Sequence, residues 1–283
     1  MIEVKNLEFS YKSQKSFIED LSFNVSQGEI FGFLGPSGAG KSTLQKILCG
    51  ILREYQGSVK VLGSEVKDRG KEFYEEIGVD FEFPNLYGKF SGIDNLKYFA
   101  SLYDRPLLDP MPLLERVGLG EYGNKKVSEY SKGMKMRLAF VRSILHEPKL
   151  LFLDEPTSGL DPSYARILKE MILEQKKMGR TVILTTHNMH DADELCDRVA
   201  FIVDGEIKAV GEPALLKSSK EAVEVRYSYV QSEEIKQGKA SLAELYNDKR
   251  FMKELQEGKL RSIHSKEPTL EDVFMEVTGR RLI

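Results

Sequence analysis

An α/β core built around a parallel sheet is predicted by three short stretches of the chain. "EIFGFLG" (29–35), "LLFLDE" (150–155) and "TVILTTH" (181–187) are near-continuous apolar runs that end in glycine or polar residues. That is the pattern of inner strands covered on both faces. Between the last two runs, "PSYARILKEMILEQKKM" carries apolar residues at helical spacing, so strand and helix alternate. In sheets of this kind ligands collect at the carboxyl ends of the strands, where these runs turn polar.

The other elements follow in order. "IEVKNLEFSY" and "FIEDLSFNV" alternate apolar and polar residues, which predicts a paired antiparallel β subdomain at the N-terminus. A helix is expected after the glycine loop that closes the first inner strand. Residues 85–146 read as a helical insertion of three segments, "GIDNLKYFASLY", "PMPLLERVG" and "GMKMRLAFVRSIL", without strong strands between them. After "GEPALLKSS" the character changes to a strand candidate "AVEVRYSYV", a charged span from Gln231 to Gly258, and "KLRSIHSKEPTLEDVFMEVTG". The expected division is a main domain over 1–217 and a small α+β appendage over 218–283, with the charged span as a solvated face.

Composition narrows the function classes. With 41 Lys and Arg against 44 Asp and Glu, a net charge of −3 argues against a broad polyanion-binding surface, so no nucleic-acid partner is expected. Two distant cysteines, Cys49 and Cys196, sit in apolar helix-like contexts and read as buried thiols rather than a disulfide or a zinc site. No apolar run approaches the roughly 18 residues of a spanning helix, and the N-terminus reads as a strand rather than a signal peptide. A soluble, cytoplasmic chain is expected.

"GPSGAGKST" fits G-x-x-x-x-G-K-[ST] in the required context, after a buried strand and before a helix. Its residues are Gly35, Pro36, Ser37, Gly38, Ala39, Gly40, Lys41, Ser42 and Thr43. The glycines let successive N–H groups face inward as an anion nest, reinforced by the helix N-terminus. Lys41 then reaches the β- and γ-phosphates, the Ser42 hydroxyl is placed for magnesium, and Thr43 for an α-phosphate oxygen. The fold expectation becomes a P-loop NTPase core.

Asp154 and Glu155 close an apolar strand. Neighbours on a strand point to opposite faces, so the two acids need different tasks unless the strand has already ended. Asp154 suits the magnesium shell through water, and Glu155 the polarisation of an attacking water. His187 ends the next inner strand and can be delivered to the same edge, to read the γ-phosphate and orient that water.

Assembled in this order, Gly35–Thr43, "LLFLDEPTSGLDP", "TTH" and "YSKGM" make the chain resemble the ATP-binding subunit of ABC transporters, over about residues 1–217. The resemblance implies ATP and Mg2+ as cofactors, a second copy of the chain or a paralogous subunit as partner, and a separate transmembrane permease. It places the protein on the inner face of the cell membrane. A signature turn in that family binds the γ-phosphate held by the opposite subunit. Tyr130–Met134 stands in its position, with Ser131 as hydroxyl donor, the backbone around Gly133 for close approach, and a helix N-terminus behind it. The resemblance also assigns Tyr11 to adenine stacking, and Ser158, Gly159, Leu160 and Asp161 to a segment crossing the dimer seam.

Two departures stand out. The family signature reads Leu-Ser-Gly-Gly-Gln, whereas Lys132 and Met134 replace its first glycine and its glutamine; Lys132 is expected to point to solvent. Glu82 occupies the position of a metal-coupling glutamine. After it, Phe83, Leu86 and Tyr87 are candidates for a socket that meets the permease, or for ordinary packing of the insertion. The tail "KEPTLEDVFMEVTGRRL" looks like that of ABC-2-type drug and antibiotic exporters, with Leu270, Val273, Phe274 and Val277 on one helical face. A DNA-maintenance ATPase is the alternative, disfavoured by the absence of sustained heptads. A kinase or GTPase with a phosphate loop alone would leave "YSKGM" unexplained.

Overall fold

The computed structural model describes residues 1–11, 17–218, 224–231, 234–266 and 268–280. Ala222 and Val223, which open the expected C-terminal strand, lie outside the described residues. The chain packs as two compact units, Met1–Glu212 and Pro213–Arg281.

In the first unit, β1 (Ile2–Phe9) and β2 (Ile18–Val25) pair antiparallel as expected. Ile2, Val4, Leu7 and Phe9 face inward, and the register shift between Val4 and Leu7 coincides with a left-handed backbone at Asn6, whose N–H donates to Ser22 Oγ at 2.8 Å. β3 (Ile30–Leu34) is buried throughout and feeds α1 (Lys41–Leu48). β4 (Gln56–Val61) and β5 (Ser64–Glu65) extend the first sheet to the order β2-β1-β4-β5. Next come α2 (Lys71–Glu76), β6 (Ile77–Asp80) and the insertion helices α3 (Gly92–Ala100), α4 (Pro110–Arg116) and α5 (Lys132–Ile144). Each insertion helix starts on a side-chain cap, Ser91, Asp109 and Ser131 respectively, which satisfies an N–H the helix leaves unpaired.

The chain then alternates β7 (Leu150–Asp154), α6 (Pro162–Lys177), β8 (Thr181–Thr186), α7 (Met189–Leu195), β9 (Arg198–Val203) and β10 (Glu206–Gly211). The central sheet runs β10-β9-β3-β8-β7-β6, parallel except for β10. Its core continues into the antiparallel sheet through Phe23, Phe31 and Phe33, whose rings meet 5.1–5.9 Å apart. The β9–β10 hairpin was not expected from the sequence, although Asp204-Gly205, both at positive φ, is the dipeptide a two-residue type I′ turn requires.

In the second unit, α8 (Pro213–Ser218) precedes β11 (Glu224–Gln231), β12 (Glu234–Ser241), α9 (Lys249–Gln256), β13 (Leu260–Lys266) and α10 (Leu270–Thr278). The charged span expected as a solvated face therefore contains a strand and a helix. β12 is mostly exposed, so it carries no apolar alternation to read, and α9 buries only Phe251 and Glu254. Tyr227, Tyr229 and Phe251 make this unit's small core. On α10, Leu270, Val273 and Phe274 are buried, whereas Val277 is 44% exposed and does not join them.

Both cysteines are buried free thiols, and burial pushes both well above the usual thiol range. Asp80 closes β6 only 4% exposed; burial lifts its carboxyl to about 7, opposed by the Arg142 charge and assisted by Asp154. A folded-state pKa above the unfolded value of 3.8 favours folding in acid, and this contribution is lost as pH rises to about 7. Asp80→Asn, neutral and of the same shape, is expected to raise the melting temperature above wild type at about pH 8 and to match it at about pH 4. Equal loss at both pH values would show that Asp80 is held as a charged partner instead.

Candidate functional site

The phosphate loop is held where the sequence placed it. Gly35 has no room for a side chain, since a Cβ there would stand 2.1 Å from the Ile202 carbonyl oxygen on the neighbouring strand. Gly40, with φ 108, turns the chain into α1 through a left-handed conformation that an L side chain resists, and its position leaves the first helical N–H groups without a side-chain cap. Lys41, 8% exposed, folds back to donate to the carbonyls of Gly35 (2.6 Å) and Pro36 (3.1 Å). Burial lowers its ammonium pKa, and the charges of Glu155, Asp154 and Glu82 partly restore it.

Four neighbouring strands, β3, β8, β7 and β6, deliver the site along one sheet edge. Asp154 is the last residue of β7 and accepts from Thr185 Oγ1 on β8. Glu155 comes after the strand has ended, at φ 53. The left-handed turn breaks the alternation, so both carboxylates line one cleft of about 280 Å³ with residues 37–43, Phe17, Glu82 and His187. Glu155, 8% exposed, accepts from Thr186 Oγ1 at 3.2 Å and meets His187 Nδ1 at 2.8 Å. A carboxylate can only accept, so this contact puts the proton on Nδ1 and leaves Nε2 for other partners.

Tyr11 does not line this cleft. Its hydroxyl shares a hydrogen bond with Thr43 Oγ1 at 2.9 Å, and its ring stands edge-on to Phe9 and Phe17. Phe17 does line it and was missed; an aromatic six residues after Tyr11, at the head of β2, was the available signal. Ser131 caps α5, accepting from the Met134 N–H at 3.2 Å, which leaves its own O–H free to donate outward. The turn lies away from the chain's own phosphate cleft and beside the 158–161 segment: a Cβ on Gly133 would touch Leu160 at 3.3 Å, and one on Gly159 would stand 3.9 Å from Lys132 Nζ. Lys132 is exposed, with its ammonium lying along Gly159. Asp161 caps α6 by accepting from Ser163 and Tyr164 N–H. Arg137 ties α5 to α6 by covering the Tyr164 ring at 3.5 Å. Phe83 and Tyr87 are exposed and Leu86 half-buried, while Asn95 clamps Tyr87 through both its backbone N–H and its carbonyl.

The ABC transporter family profile matches residues 18–158. A fluoroquinolones export ATP-binding protein of Mycobacterium tuberculosis is 49% identical over 284 residues, covering 100% of this chain and 94% of its own length. The chain belongs to the ABC transporter family. It is an ATP-binding subunit of that family, and its fold is that of the family's P-loop ATPase cassettes. The Nod factor export ATP-binding protein I of a Rhizobium species is 35% identical to this subunit, with 95% of this chain and 94% of that protein covered. A solved structure of the ATP-binding subunit of an ABC transporter superposes with a TM-score of 0.71 at 31% identity, over 77% of this chain and 92% of that one. The expected DNA-maintenance alternative is set aside. No helix among the described residues of this ABC subunit is long and apolar enough to cross a membrane.

Proposed function

We propose that this ABC subunit hydrolyses ATP between two copies of itself and so drives export, of drug-like or other hydrophobic molecules, by a separate membrane permease. The observation that carries the reading is the left-handed turn at Glu155, which aims a positioned carboxylate into the cleft that holds Lys41 and Asp154. Held by Thr186 and His187, Glu155 takes the proton of the attacking water, and Lys41 and the loop N–H groups receive charge gathering on the γ-phosphate.

Three carboxylates, Glu82, Asp154 and Glu155, share a cleft with a phosphate nest, a donor set that fits a divalent cation between like charges. Ser42, Asp154 and Glu82 would hold Mg2+, which would supply positive charge against the charge that develops on the phosphate. Ser131, Lys132, Gly133 and Met134, standing outside their own cleft, serve the triphosphate of the second copy, and residues 158–161 beside them carry the seam. Phe17, which lines the cleft, supplies the aromatic surface for adenine, with the Tyr11 ring edge-on to it. Nucleotide contacted from both copies only in the closed pair favours closure, and its hydrolysis releases it. The export-related names of the relatives support the direction, and the exposed aromatics around Tyr87 the docking to a permease at the cytoplasmic face.

Glu82 supplies a test of the metal arrangement. An added carboxylate strengthens the hold on Mg2+ relative to an amide, so Glu82→Gln is expected to shift the Mg2+ titration of ATPase activity to higher concentration without abolishing turnover. An unchanged titration would remove Glu82 from the metal shell.

A further inference from the structure

Residues 158–161 follow Glu155 as a short turn between β7 and α6. Ser158 N–H donates to the Glu155 carbonyl at 3.1 Å and Leu160 N–H to that of Thr157 at 3.2 Å, while Gly159 is exposed at φ 71. An exposed turn of this kind takes its placement from the scaffold that anchors its ends. At the far end Asp161 caps α6. At the near end the Thr157 hydroxyl donates to Asp191 Oδ2 at 2.6 Å.

Asp191 lies in the first turn of α7, where the helix dipole favours a carboxylate, and is only 7% exposed. A carboxylate so buried is costly unless it is paired, and its second oxygen stands 3.4 Å from Lys169 Nζ on α6. Lys169 also pairs with Glu194 of α7, so the two helices are fastened to each other without Thr157. The Thr157 bond therefore acts on the seam segment rather than on helix packing. Through Asp191 the two ends of that segment meet on one side chain, Thr157 directly and α6 by way of Lys169. The same helix leads back to the catalytic edge: the Asn188 side chain accepts from the N–H groups of His190 and Asp191, and the Asn188 N–H donates at 2.9 Å to Thr186 Oγ1, the hydroxyl that donates to Glu155.

We propose that Asp191 is a positioning residue for the split site: by holding Thr157 it sets residues 158–161 in the shape that meets the second copy. The role rests on the reading that ATP is clasped between two copies. To test it, the full chain carrying Glu155→Gln is titrated in protein concentration at saturating ATP and Mg2+, and the concentration at half pairing is read by light scattering. Thr157→Val leaves Asp191 with Lys169, and Asp191→Ala leaves Lys169 with Glu194, so neither change strands a charge. Each is expected to raise the half-pairing concentration roughly tenfold or more, because a bond to a charged group is lost once in each copy of a symmetric pair. Thr157→Ser, which keeps the hydroxyl, should stay within about twofold of the parent. ATP affinity of the dilute, unpaired chains should stay within about twofold in all three, which reports that they fold and separates placement of the seam from damage to the cleft. Unchanged pairing in both Thr157→Val and Asp191→Ala, pairing lost as fully in Thr157→Ser, or a fall in ATP affinity as large as the fall in pairing would overturn the role of Asp191 alone. A Glu155→Gln chain that binds ATP yet does not pair even without these changes would overturn the two-copy reading, and this role with it.

Discussion

Glu155→Gln is expected to lower ATP turnover by roughly three powers of ten while leaving ATP affinity within a few-fold of wild type. The carboxylate stands at the end of β7 with its two oxygens held separately, one by Thr186 and one by His187, so its aim is fixed before nucleotide arrives. An amide keeps the shape and the Thr186 contact but takes up no proton, so the loss falls on the chemical step rather than on binding. Single-turnover hydrolysis together with nucleotide-binding titration separates the two quantities. Similar turnover in the variant and in wild type would take the water-activating role away from Glu155.

The second large effect is expected at Lys41. Its ammonium is buried and donates to the carbonyl oxygens of Gly35 and Pro36, and burial already disfavours its charge. Lys41→Ala should therefore fold normally, with a melting temperature no lower than wild type in the absence of nucleotide. What it loses is a set of charge-assisted bonds to phosphate, roughly 1.5–3 kcal/mol each, so ATP affinity should fall about a hundredfold or more. Stabilisation by saturating ATP, about 2.7 kcal/mol at a hundred times the dissociation constant, should then be missing from the variant's thermal melt. A variant that ATP stabilises as fully as wild type would contradict this placement of Lys41.

How far the sequence revealed these features differed from element to element. The inner strands around Phe31, Phe152 and Ile183 were legible because burial on both faces leaves no polar positions to interrupt the run. The phosphate loop was legible because its spacing is a mechanical requirement of backbone curling. The relation of Asp154 to Glu155 was not, since it depends on one positive φ at a non-glycine residue, which composition does not announce. Phe17 was hidden in a strand-like alternation that accounts for it without any site. In the second unit, β12 pairs through its backbone and buries none of its side chains, so hydrophobic patterning carried no trace of it. Arg226, Lys239 and His264 are far apart in sequence, and only strand register sets them side by side.

The split site is the central claim: a signature turn that stands outside its own cleft needs a second copy to meet a γ-phosphate. The most direct measurement is the mass in solution of the Glu155→Gln subunit, by light scattering, with and without saturating ATP and Mg2+. A doubling of mass with ATP, reversed when nucleotide is removed and abolished by Ser131→Arg, is the expected result. A particle that stays monomeric at saturating ATP, with nucleotide binding verified in the same sample, would contradict it.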